Sequence, residues 1–476
     1  MATGGPTITS LGVGSGLDLN GMLTQLVAVE RQPLVQMQAD ASALQTKVSM
    51  IGQITGMVTS LQTAADALDA PGLWTSSVAS SNNSAAVSTV GASSAAAGNY
   101  AVSVSALASG QTLASATTYG ASTATVGSGN LTIQLGSWNT GSTAFTPASG
   151  STAVTVSIAA TDTLANVRDK INAAGAGVTA SLVTDASGVR LSLQSTATGA
   201  ANGFRVGADA GVAALGYDPA SGINGLQLKQ SAANAAATVN GINIASASND
   251  LSGVVAGLTV RLSQVTTAPV TISVTPDQGS VTKAVQGFVD AYNALQNYIT
   301  TQTKYDPTAK VGGPLQGNST VVGLQQQLRS MLTMPSSASS RFKTLSDVGV
   351  QLQRDGTLSI NQTQFATATA NLPELQKAFS TFNSANISAE GFGQRFSALA
   401  SGLTGFSGNL TTYTAGLQTL LKQNQANQDA LNAHVATYQA QLTKQFTAMD
   451  TNLAKLSALN AYVTQQLAAM SQTPKY

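Results

Sequence analysis

The chain is 476 residues long, enough for several domains, yet only 9% of it is charged and the formal net charge is +1. It therefore lacks the electrostatic footprint that nucleic acid or acidic lipid would require. Cysteine is absent, which excludes disulfide frameworks, thiol chemistry and Cys-ligated zinc. Between Asp69 and Asp162 there is no Lys, Arg, Asp or Glu; Ser, Thr, Asn, Ala and Gly take the polar positions, a composition that fits a secreted structural protein better than a cytosolic enzyme. The first basic residue is Arg31 and no apolar h-region precedes it, so export is expected to proceed without a cleaved leader. No window approaches the roughly 18 to 20 apolar residues of a membrane span.

Residues 1–16 end in Gly12-Val13-Gly14-Ser15-Gly16 and predict a flexible leader; a phosphate loop would need a preceding strand. A short amphipathic helix follows through Met22, Leu23, Leu26 and Val27, with Asp18 or Asn20 as its cap. Pro33 reads as a kink or as the first-turn proline of the next helix. That helix carries Met37, Leu44, Ile51, Val58 and Ala65 at sevens, flanked by Ile54, Leu61 and Leu68. Gly52 and Gly56 predict local bending, and Pro71-Gly72 ends the helix.

The period then changes to two. Tyr100, Val102 and Val104 alternate with polar residues, as do Leu131, Ile133 and Leu135, then Val154, Val156 and Ile158. A short helix with Thr161 or Asp162 near its cap presents Leu164, Val167 and Ile171. Val178 to Leu193, turning at Asp185 to Gly188, read as a hairpin; 196–235 read as loop-rich. Asn240-Gly241 predicts a two-residue hairpin turn, and Leu258, Val260, Leu262, Val270, Ile272 and Val274 complete a β-rich insertion over roughly 75–275, in two subdomains.

Helical period resumes at Ser280 with Val281, Val285, Phe288, Tyr292, Leu295 and Ile299. A Gly/Pro loop (306–314), a helix through Leu324, Leu328 and Met331, and a hairpin turning at Asp355-Gly356 follow, then short helices around Phe365 and after Pro373. Glycines between 391 and 408 read as a flexible lead-in to the last element. From Leu421, every seventh residue is Gln428, Val435, Leu442, Met449, Leu456, Val463 and Met470, so only Gln428 breaks an apolar seam. Leu417, Leu431 and Tyr438, then Phe446, Leu453 and Leu467, flank it. This is a coiled-coil pattern, and a helix over 415–472 would span about 90 Å. It needs a partner along its length. The helix with the same period near the start is that mate, parallel or antiparallel, so the β-rich middle is an excursion from a helical stalk.

At this point the residues resemble a known family. Leu11-Gly12-Val13-Gly14-Ser15-Gly16-Leu17-Asp18 with Gln25-Leu26-Val27 and Glu30-Arg31-Gln32-Pro33 is similar to the start of the flagellar hook-associated protein 2 family, the filament caps. Val239-Asn240-Gly241, Phe288 to Asn293, Leu315 to Thr320, Val348-Gly349-Val350 with Asp355 to Leu358, and Ala448-Met449-Asp450 agree in order. Thr161 to Leu164 with Ile171-Asn172 resembles a motif of flagellin-type inserts. The resemblance implies an α+β multidomain fold: a terminal coiled-coil stalk, a helix-rich leg domain and two inserted β-rich head domains. The boundaries would be 1–40 for the leader and first stalk helix and 41–75 for the first leg helix. The inner head would occupy 76–105 and 236–276, the outer head 106–235, the rest of the leg 277–405, and the stalk helix 406–476. It further implies a homo-oligomer, often a pentamer, at the filament tip, with flagellin, the hook–filament junction proteins and an export chaperone as partners.

Nothing points to catalysis. The single histidine, His434, has no nucleophile motif beside it, no metal-ligand spacing occurs, and no cofactor is expected. The expected function is structural, a cap under which flagellin polymerises. Its interaction residues are expected at the leg tip, Leu17, Leu19, Met22 and Leu26, exposed in the monomer, and along the seam of Leu421, Val435, Leu442, Met449, Leu456, Val463, Leu467 and Met470. Glycines 12, 14, 16, 21 and 391–408 would give the leg its flexibility. Two other readings stay open: another flagellar axial protein, and a secreted adhesin whose β-rich heads bind glycans or mucin.

Overall fold

The computed structural model describes residues 17–471; the glycine-rich leader at 1–16 lies outside them. The chain forms two compact units, one from 1–70 with 281–476, the other from 71–280. The second is thus inserted, in sequence, between the halves of the first.

The helical unit begins with α1 (Leu19–Glu30), whose cap is Asp18: its carboxylate accepts the Gly21 N–H at 2.8 Å. One residue, Arg31, separates it from α2 (Gln32–Asp69), and Pro33 stands in the first turn of α2, where its missing N–H is harmless. α2 runs unbroken through Gly52 and Gly56. Its buried stripe is Ile51, Ile54, Val58, Leu61, Ala65 and Leu68, the helical spacing read from the sequence.

The inserted unit opens with the one-turn helix α3 (Pro71–Thr75). Its first core lies between a five-stranded antiparallel sheet, in the order Ser77–Ser81, Val270–Pro276, Gly98–Ala106, Ala235–Val239, Ile242–Ser246, and a three-stranded sheet, Asp250–Val255, Leu258–Leu262, Val87–Gly91. The entering strand Ser77–Ser81 pairs with the leaving strand Val270–Pro276, so both connections of the unit lie side by side. Asn240 and Gly241 turn the expected hairpin with φ of +50° and +81°, the left-handed conformation that a two-residue turn requires. Val102, Val104, Val260, Ile272 and Val274 fill this core from alternate strand positions.

A second core gathers Leu131, Ile133, Leu191, Leu193, Phe204 and Val206 between a six-stranded and a four-stranded sheet, closed by α4 (Leu164–Ala173). Two expectations change here. The cap of α4 is Thr163, whose hydroxyl accepts the Asn166 N–H at 3.2 Å while Asn166 accepts the Thr163 N–H at 3.1 Å. Asp162 is drawn away by the Ala159 N–H at 2.7 Å and by Lys170. And 196–235 holds strands Gly203–Ala208, Tyr217–Asp218, Ile223–Asn224 and Leu226–Gln230. They are too short and glycine-broken for a period of two to show, and distant partners hold them: Phe204 pairs with Leu135.

The chain returns to the helical unit with α5 (Gln278–Thr303), α6 (Ser319–Thr333), α7 (Leu345–Val348), the hairpin Val350–Leu352 with Leu358–Ile360, α8 (Gln362–Thr369) and α9 (Leu372–Ser380). On α6 it is Leu332 rather than Met331 that is buried. The glycine-bearing segment is not a flexible lead-in: α10 (Phe392–Thr404) occupies it and lies antiparallel along the end of α2, with Ser397 bonding Asp66 at 2.5 Å and Gln62 bonding Ser401 at 2.8 Å. Phe396 of α10 packs edge-on against Phe288 and Tyr292 of α5. The last helix, α11 (Asn409–Ser471), starts before Gly416 and continues through it.

Candidate assembly surface

Three contacts fix how α11 meets the start of the chain. Gln428 Nε2 donates to the Met37 carbonyl at 3.4 Å, His434 lies 3.3 Å from the Glu30 carboxylate, and Val435 is buried against Leu23 and Val27. As the numbers rise along α11 they fall along α2 and α1, so the pairing is antiparallel. The polar break at Gln428 is itself buried, its amide satisfied by Met37 and by Asn424 at 2.5 Å. A polar residue at a seam position favours one register over its neighbours, since a slip parts it from the Met37 carbonyl. His434 and Glu30 border the seam as half-exposed side chains.

The seam residues separate into a covered and an uncovered half. Leu421 and Leu442 are half-buried and Val435 is buried, with Leu431, Leu442 and Phe446 packed around Leu23 and Val27. Beyond Phe446 the same heptad continues outward: Met449 is 36% exposed, Leu456 61%, Val463 44% and Met470 70%. Every residue from Lys455 to Met470 is exposed, Leu467 included. The register explains where coverage stops. With 434 opposite 30, position 447 lies level with Leu17, the first described residue, so from Met449 on α11 runs past the described part of the first helix.

Leu17, just before α1, and Met22 and Leu26 on it are exposed, but Leu19 is not; it is fully buried. This corrects the expectation of a uniformly exposed tip. Leu19, Leu23 and Val27 recur every four residues and form the inward stripe, while Met22 and Leu26 flank it on one side and stay exposed. The glycines assigned to flexibility also divide. Gly12, Gly14 and Gly16 lie outside the described residues. Gly391 and Gly393 serve close packing instead: a Cβ on Gly393 would lie 2.9 Å from the Phe379 carbonyl and 3.2 Å from that of Ala65.

Among the described residues no three potential metal ligands gather, and no helix is long and apolar enough to cross a membrane. What the molecule presents is surface: a long helix with an apolar seam, half of it covered.

A helical unit made from both ends of the chain, an inserted unit with two antiparallel β cores and a partly exposed coiled-coil helix define the class, which is that of flagellar cap proteins. The crystal structure of the flagellar cap protein FliD D1-D2-D3 domains from Escherichia coli matches with a TM-score of 0.60 and 30% identity, over 78% of this chain and 99% of that one. The family models for the flagellar hook-associated protein 2 N-terminus and C-terminus match residues 15–111 and 232–458, and that for the flagellin hook IN motif matches 139–197. Flagellar hook-associated protein 2 of Escherichia coli K12 is 33% identical over 97% of this chain and 98% of its own length. The B-type protein of Pseudomonas aeruginosa is 28% identical over 97% and 98%. The chain belongs to the flagellar hook-associated protein 2 family.

Proposed function

We propose that this filament cap works by sterics and binding alone, without bond chemistry, and that the uncovered half of α11 is where it grips the filament. One observation carries the reading: a single heptad series passes from buried at Val435 to exposed at Leu456, Val463 and Met470 without losing its apolar character. Contiguous exposed apolar surface marks an interaction site. Leu17, Met22 and Leu26, with Met449, Leu456, Val463, Leu467 and Met470, form the leg tip that meets flagellin and the hook–filament junction protein. Leu19, Leu421, Val435 and Leu442 hold the leg together. The two β cores are read as an inner head (76–105 and 236–276) and an outer head (106–235), supported by Val102, Val104, Val260 and Val274 clustering apart from Leu113, Leu131, Leu193 and Leu226. The heads of a homo-oligomer, on this reading a pentamer, form the plate beneath which flagellin is retained at the distal tip. Passage there is through the flagellar export channel, with an export chaperone.

The test is a full chain carrying Leu456→Asp and Val463→Asp. Both sites are exposed, so the melting temperature is expected to stay within about a degree of wild type, since surface changes rarely exceed ~0.5 kcal/mol. Cells carrying it are expected to lose filaments and shed soluble flagellin into the medium. Normal swimming with a stable variant would remove the leg tip from the mechanism.

A further inference from the structure

A small polar pocket of about 180 Å³ lies within the helical unit, where α5, α6 and the turn of the hairpin Val350–Leu352 with Leu358–Ile360 meet. From α5 come Tyr292 and Gln296, one turn apart. From α6 come Val322, Gln325 and Arg329, which follow one another at spacings of three and four and so share one helix face. Gly356 of the hairpin turn closes a wall. Its φ is +86°, and a Cβ there would approach Gln296 Nε2 to 2.6 Å, so the turn sits directly against that amide. No residue of α11 lines the pocket, which sets it apart from the seam.

Three of these side chains hold hydrogen-bonding capacity that the chain leaves unused. Tyr292 is 2% exposed, its ring edge-on to Phe396, and its hydroxyl has no hydrogen-bond partner among the described residues. Burial pushes that hydroxyl up to about 12, although the Arg329 guanidinium pulls the other way, so it stays protonated and able to donate at neutral pH. Gln296 is also buried, and its amide nitrogen makes one long contact, 3.4 Å, to the Thr300 hydroxyl. Arg329 has no ion-pair partner among the described residues. Its own helix carries no Asp or Glu to supply one. Asp355, beside Gly356 in sequence, is held in its own turn by the Thr357 N–H at 2.9 Å and the Thr357 hydroxyl at 2.6 Å. Buried polar groups are normally paired. A hydroxyl, an amide and a guanidinium left open around one pocket therefore call for a ligand that is negative and rich in acceptors.

We propose that this pocket binds a carboxylate, gripped by Arg329 through two parallel N–H···O bonds while the Tyr292 hydroxyl and the Gln296 amide donate to the same group. The planar fork of arginine matches a carboxylate in a way that an ammonium does not. Arg329 is itself exposed, so an incoming anion meets the charge before the buried donors. The pocket is smaller than the roughly 300–1,000 Å³ of sites that enclose a whole small molecule. It therefore takes a carboxylate on a short stem, from a small organic acid or from a glutamate side chain of a protein partner.

The test uses the full-length chain with isotopically labelled arginine, the Arg329 Nε–H resonance being identified by its loss in Arg329→Gln. Sodium succinate is expected to move that resonance saturably, and sodium chloride at matched ionic strength is expected to leave it in place. By calorimetric titration, Tyr292→Phe, which removes one oxygen, is expected to weaken succinate binding about two- to tenfold. Arg329→Lys, which keeps the charge but loses the fork, is expected to weaken it at least as much, with melting unchanged. An N-acetylated, amidated Gly-Glu-Gly peptide that binds more tightly than succinate assigns the site to a protein partner; the reverse order assigns it to a small acid. A resonance that does not move, one that moves equally with chloride, or an affinity unchanged in both variants overturns the site.

Discussion

Glu374, in the first turn of α9, accepts hydrogen bonds from Lys377 at 2.7 Å and from the Ser339 and Ser340 hydroxyls at 2.7 and 2.9 Å. Led by Lys377, these donors hold its carboxyl at about 2, against an ordinary 4.5. A folded-state value below the unfolded one means stability that is present above the ordinary value and lost as pH falls through the folded one. Glu374→Gln is therefore expected to melt below wild type near neutral pH, and the gap is expected to close between about 4.5 and 2. A gap independent of pH would show that the charge is not what matters. Glycines make the complementary case. Gly393→Ala pushes a methyl against two backbone carbonyls and is expected to destabilise by ~1–3 kcal/mol, whereas Gly52→Ala in α2 meets open space and is expected to stabilise by ~1 kcal/mol. Denaturant melts of both variants check the pair; equal effects would refute the packing assignment. In the sequence these glycines look alike.

At the scale of the element, α2 and α11 show how far a heptad can be read. The apolar sevens reveal two long helices that match in period, and that much is a local property of the chain. Direction is not, because an antiparallel and a parallel seam have the same periodicity; the pairs Met37–Gln428 and Glu30–His434 settle it. Gln428 looks like a flaw in the run until its amide is found against the Met37 carbonyl. That bond is long at 3.4 Å, so its worth lies in register more than stability. Gln428→Leu is expected to leave the melting temperature unchanged or raised while permitting shifted pairings, detectable as new cross-links between cysteines placed along α1 and α11. A fall of several degrees with the register intact would assign Gln428 a stabilising role instead. Segment 391–408 taught the opposite lesson: α10 is a regular helix because Phe392, Phe396 and Leu403 find a core, and that burial outweighs a weak glycine-bearing propensity.

On the scale of the whole molecule, α2 and α11 pair to bury their seams, and in sequence the β-rich unit is inserted between them. Within that unit Ser77–Ser81 pairs with Val270–Pro276, so its entering and leaving strands are hydrogen-bonded neighbours. Residue period alone therefore determined the long helices and the main hairpins, that α2 and α11 are mates, and that the β-rich middle is inserted between them in sequence. The tertiary structure alone decided which half of the α11 seam is covered, that Leu19 turns inward while Met22 and Leu26 turn out, and that short strands such as Gly203–Ala208 exist at all. The physical reason is the same throughout. Periodicity is written into each segment, whereas burial depends on where a partner begins and ends, which no segment records about itself.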